Sequence, residues 1–212
     1  MTSQKTPVLL RNLALLMSLV ALALVTSVLL GWLSHIEVLV RSGPDRAAMV
    51  PSTAISLALL FCGLAVAASG RETSGRVLAC AAGAAVVALT NTLVVSFGAE
   101  GLDALLAKRP MHDRMSPGTV TGLLIGAAGL AGLALPSLRR AELPLLAALS
   151  GLTGITAVFM VHNFQPGTVM ALSFFEGMSI YTALSLLGVF GGLLMLGLAP
   201  SSSATLAQLN QD

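Results

Sequence analysis

Charge is what this chain has least of. Asp, Glu, Lys and Arg make up 9% of its 212 residues, against 56% apolar, and the mean hydropathy is +0.91. A soluble domain carries about 25% charged residues, so hydrocarbon is expected to be the solvent for most of the chain. Lysine is nearly absent: Lys5 and Lys108 both fall outside the apolar runs. That excludes a buried Schiff-base lysine. No ionisable residue lies near the middle of an apolar run, which argues against a proton relay, an ion-coupled pump and catalysis within the membrane, since charges there are costly and kept for function. Cysteine is limited to Cys62 and Cys80, inside apolar runs, where free thiols behave as small hydrophobes. The net charge of +2 gives no sign of nucleic-acid binding.

What is present is a set of six apolar runs, at residues 12–33, 53–69, 76–97, 119–135, 143–161 and 179–198. A helix needs roughly 20 mainly apolar residues to cross a bilayer, and these runs lack the alternation of a membrane strand. The expected fold is all-α: a polytopic membrane protein with six transmembrane helices arranged as three related hairpins. Residues 1–11 form a cytoplasmic tail, 12–198 the transmembrane domain and 199–212 a second cytoplasmic tail. The first run is too long for a signal-peptide core and is expected to be retained. Lys5, Arg11, Arg71, Arg76, Arg139 and Arg140 crowd the helix ends and short loops of one side. By the positive-inside rule both termini are expected in the cytoplasm. Gly and Ala are dense along the spans (Gly126, Gly129 and Gly132, for example), which favours close helix packing.

An internal repeat runs through the spans. Met49, Met115 and Met178 each precede a Thr by four positions, at Thr53, Thr119 and Thr182, and a Gly follows each Thr ten positions later, at Gly63, Gly129 and Gly192. Pro51 and Pro117 suit the first turn of a helix, and Ser or Thr there caps unpaired N–H groups. Helix starting and packing are one reading; a ligand site ringed by three equivalent helix starts is the other. The trio Thr90, Asn91 and Thr92 is the deepest polar cluster and is expected to bond between helices.

Histidine, methionine and aromatic residues gather at the outer ends: Trp32, His35, Met49, Phe97, Met111, His112, Met115, Phe159, His162, Phe164, Met178 and Tyr181. They are the candidate ligand- or partner-contact residues. Interfacial anchoring, a surface for an apolar ligand, lipid, quinone or partner helix, and a soft-metal site on His35, His112 and His162 remain open as alternatives. The His residues are not equivalent in the repeat, so no metal is assigned, and no cofactor is expected. The loop 99–116 reads in part as a short amphipathic helix on the membrane surface, with Leu102, Leu105 and Leu106 on one face and Asp103 and Lys108 elsewhere. The stretch 167–175 is expected to behave similarly.

Gly98, Gly101, Leu102, Asp103 and Leu106, followed by Arg114, Met115, Ser116 and Pro117, resemble the outer loop and helix start of a multi-helix N-terminal sensor region found in bacterial sensor histidine kinases and diguanylate cyclases. Met49–Ala54 and Gly177–Leu184 resemble the first and third copies of the motif. The resemblance implies a non-enzymatic sensor or signalling-associated module in a bacterial inner membrane. Tyr181 stands where that family has His, so a His-dependent contact would be lost. The output domain of those proteins has no counterpart in this sequence, so the chain is expected to act through a separate membrane or signalling protein. An accessory structural subunit of a larger membrane complex, energy-transducing for example, is the alternative.

Overall fold

The computed structural model describes residues 5–43, 46–70, 74–98, 101–107, 114–140, 142–164 and 177–199. These residues are helical with short connections. The helices are α1 (Lys5–Leu33), α2 (Glu37–Val40), α3 (Pro51–Ala68), α4 (Ser74–Ser96), α5 (Leu102–Ala107), α6 (Pro117–Ala134), α7 (Pro136–Arg140), α8 (Leu143–Phe164) and α9 (Ile180–Leu198). Five of them, α1, α3, α4, α6 and α9, are long and apolar enough to cross a membrane. The expected run at 143–161 corresponds to α8, whose apolar stretch with described side chains, Leu143–Phe159, is shorter.

Helix ends follow local chemistry. Pro51 and Pro117 open α3 and α6, where the missing N–H costs nothing. Gly70 and Gly98, at φ +71° and +77°, end α3 and α4 in the left-handed conformation that Gly adopts without penalty. α1 starts at Lys5, inside the stretch expected to be a tail. Pro7 there lies in the first turn, and Val8, Leu9 and Leu10 carry the apolar run onward. The short helices α2 and α7 were not foreseen from sequence.

Each long helix packs on its sequence neighbours, and α9 closes back onto α1. In addition α3, α6 and α9 all touch one another, so they occupy the middle, with α1, α4 and α8 outside. Burial agrees: 61% of the most apolar window of α3 is buried, against 22% for α1 and 28% for α4. The outward side of α1 presents Leu16, Leu19 and Val20, all more than half exposed, an apolar surface compatible with lipid.

The central contact extends the Thr–Gly repeat. Counting from Thr53, Thr119 and Thr182, the fourth residue is Leu57, Leu123 and Leu186, and the eleventh is Leu64, Leu130 and Leu193. All six leucines are at most 1% exposed. Between them sit Leu60, Gly126 and Val189, and a Cβ added to Gly126 would stand 3.2 Å from both Leu60 and Val189. The spacing of four, three and four is that of coiled-coil core positions.

The leucine that follows each repeat glycine makes the seam cyclic. A Cβ on Gly63 would fall 2.5 Å from Leu130, one on Gly129 2.7 Å from Leu193, and one on Gly192 3.1 Å from Leu64. Each helix of the three thus receives a leucine from the next. Among helices that lipid does not push together, this close fit supplies the attraction.

Candidate functional site

The three central helices start at the same end of the bundle, and the residues there are polar yet buried: Ser52, Thr53, Ser116, Thr119, Ser179 and Thr182 are all at most 5% exposed. First-turn N–H groups have no partner within their own helix, so each start needs an acceptor. α6 and α9 supply their own. Thr119 N donates to Ser116 Oγ (3.2 Å) and Thr182 N to Ser179 Oγ (3.1 Å). In both pairs the Ser and Thr hydroxyls also bond each other at 2.9 Å.

α3 breaks the pattern. Its cap position holds Val50, which has no side-chain oxygen, although the backbone (φ −70°, ψ 153°) matches that of Ser116 and Ser179. The acceptor comes from elsewhere in the chain. Asp103, in the loop helix α5, accepts from Ser52 N (2.6 Å) and Ser52 Oγ (2.9 Å). It also accepts from Asn91 Nδ2 of α4 at 2.7 Å. A carboxylate at a helix start is favoured by the helix dipole, and three converging donors offset the loss of water around a group only 6% exposed. Asn91 is 3% exposed, and its Oδ1, which has no hydrogen-bond partner, abuts Gly101: a Cβ added there would lie 2.6 Å away. Only Gly fits at the turn that delivers α5.

The short helix expected in the loop is present as α5, with Asp103 turned inward and Leu105, on a different side, 68% exposed. Asn91 does bond between elements, as the polar trio suggested, whereas Thr92 donates back to Ala88 O within its own helix and Thr90 is exposed. The signal for Asp103 was present in the repeat: Val50 stands where the other two copies have Ser.

The residues expected to contact a ligand are largely engaged with the protein itself. Trp32 is 3% exposed and donates from Nε1 to the carbonyl of Met49 (2.8 Å), itself fully buried. Tyr181 donates to Val38 O at 3.3 Å, tying the start of α9 to α2. Met115, Met178 and Phe159 are half-buried against the core. His35 is exposed in a left-handed turn (φ 57°) after α1, and Phe97 is 85% exposed at the end of α4. Met111 and His112 lie outside the described residues, as do the stretch 167–175 and the side chains of His162 and Phe164. Among the described residues, no three of His, Cys, Asp and Glu converge as a metal site would require. Cys62 and Cys80 are free thiols.

Comparison with known protein families, with characterised proteins and with solved structures finds no match to this chain.

Proposed function

We propose that the chain is a non-enzymatic sensor module of a bacterial inner membrane. Six spans form three related hairpins with both termini in the cytoplasm, and a ligand or partner bound near the outer loops acts through a separate signalling protein. One observation carries this reading. The loop carboxylate Asp103 caps the start of α3, while α6 and α9 cap themselves. An event that lifts α5 therefore uncaps one central helix selectively and frees Asn91 of α4 at the same time. Seated and unseated Asp103 are the two states that a signalling element needs. An apolar ligand, lipid or quinone between the loops is the occupant that the exposed Phe97 and Leu105 favour.

Gentle-detergent purification of the full chain with its companions tests the proposal. A sensor brings along a kinase, cyclase or regulator without a membrane part, and Asp103→Ala changes that companion's activity while it stays bound. An accessory structural subunit instead co-purifies with a large complex whose activity is indifferent to Asp103 as long as the complex holds. The latter result, or a chain that purifies alone, overturns the sensor reading.

A further inference from the structure

The two cysteines fall on neighbouring helices that approach closely. α3 and α4 run antiparallel, and three crossings set their register. Ser52 and Asn91 meet at Asp103. A Cβ added to Gly83 would lie 3.2 Å from Leu59, and one added to Gly63 would lie 3.0 Å from the Cβ of Cys80. Steps of seven and four residues along α3 thus answer steps of eight and three back along α4. Cys62, one residue before Gly63, stands level with Cys80 to within about 1.5 Å along the helix axis.

Cys62 also lies on the side of α3 that meets α4. Residues three apart share a helix face, and Leu59, three before Cys62, packs on Gly83 of α4. Leu60 turns instead to Gly126 of α6, and Gly63 stands between the two neighbours, against Cys80 and Leu130. On α4, Cys80 and Gly83 are three apart and form the matching stripe. Both cysteines therefore flank one seam. The bare Gly63 lets the backbones close in there: its 3.0 Å gap to Cys80 is shorter than the Cβ separation of about 3.8 Å across a disulfide. A thiol set one residue to the side takes up the difference. Both cysteines are half-buried, so the seam does not enclose them.

We propose that Cys62 and Cys80 are a modification site, a dithiol that closes to a disulfide between α3 and α4 with a membrane quinone as oxidant. Both S–H bonds break and the S–S bond forms. The quinone takes up the two electrons and two protons and leaves as hydroquinone. An oxidant reaching the middle of two apolar helices has to dissolve in hydrocarbon, as quinones do. The closed bond ties α3 to α4 roughly three turns from the point where Asp103 joins the same two helices. This does not depend on the sensor reading.

Full-length protein, reduced and purified in neutral detergent without oxygen, is mixed with decylubiquinone, whose fully substituted ring does not add readily to thiols. The expected product has lost the mass of two hydrogens, with hydroquinone formed in equal amount, and digestion yields a peptide pair joined at Cys62 and Cys80. Both thiols become inert to maleimide in denaturing detergent until a reductant is added. The closed form unfolds at a higher detergent midpoint than the reduced one, because the link restricts the unfolded chain. Cys62→Ser and Cys80→Ser each abolish the mass loss and the hydroquinone; where a Ser variant fails to fold, Cys→Ala at that position carries the test. Two maleimide-reactive thiols persisting after exposure overturn the proposal. So does a cross-link between two chains, or hydroquinone formation that survives in the single-cysteine variants.

Discussion

Asp103→Ala removes the one side-chain acceptor found at the start of α3 among the described residues and strands the amide of Asn91. Loss of a cap costs about 1 kcal/mol. A buried donor left without an acceptor costs about 1–3 kcal/mol more, and Ser52 and Asn91, at 0% and 3% exposure, have little access to replacement water. The expected destabilisation is therefore about 2–4 kcal/mol, read as a lowered midpoint in denaturing-detergent titration. The repeat supplies a repair. Val50→Ser gives α3 the cap that Ser116 and Ser179 give α6 and α9, in a backbone already shaped for it. In the wild type the change is roughly neutral, because burying Val50 (2% exposed) is given up for the new bond. In Asp103→Ala it restores about 1 kcal/mol. The coupling between the two substitutions is the decisive quantity. If Val50→Ser has the same effect in both backgrounds, or if Asp103→Ala costs less than a single cap, Asp103 is not the surrogate cap of α3.

Three further outcomes follow from the packing. Gly63→Ala drives a methyl into Leu130 and costs about 1–3 kcal/mol, and the added substitution Leu130→Ala recovers part of that cost; strict additivity in detergent unfolding contradicts the interlock. Gly154→Ala, in the middle of α8 with nothing within 4 Å, is expected to stabilise by about 0.5–1 kcal/mol, and a lowered midpoint shows that this face is occupied. Trp32, the sole tryptophan, is expected to emit at short wavelength and resist aqueous quenchers, while Trp32→Phe destabilises by about 1–3 kcal/mol because the Met49 carbonyl loses its donor; a quencher-accessible Trp32 rules out its burial.

The helices themselves were legible because apolar length is a property of each segment alone. Runs such as 53–69 and 119–135 match α3 and α6 to within two residues at each end. The Thr and Gly positions of the repeat were also visible. The leucines at 57, 123 and 186 were not, because in chains this rich in Leu a spacing of four does not stand out until burial singles it out. The role of Asp103 was not legible for a different reason: it depends on what Val50, 53 positions earlier in the chain, cannot do. Trp32, Met49 and Tyr181 were grouped correctly at one end, but type and location alone do not separate a side chain offered to a ligand from one already bonded to the backbone of its own protein.

The glycine-to-leucine seams close on themselves: 63 meets 130, 129 meets 193 and 192 meets 64. In an open row of three rods, an end member slides while touching one neighbour. In a closed ring, axial travel of any rod disengages two teeth at once, so all three move in step or none does. A push delivered to α3 alone would then arrive at the far ends of α6 and α9 together with its own.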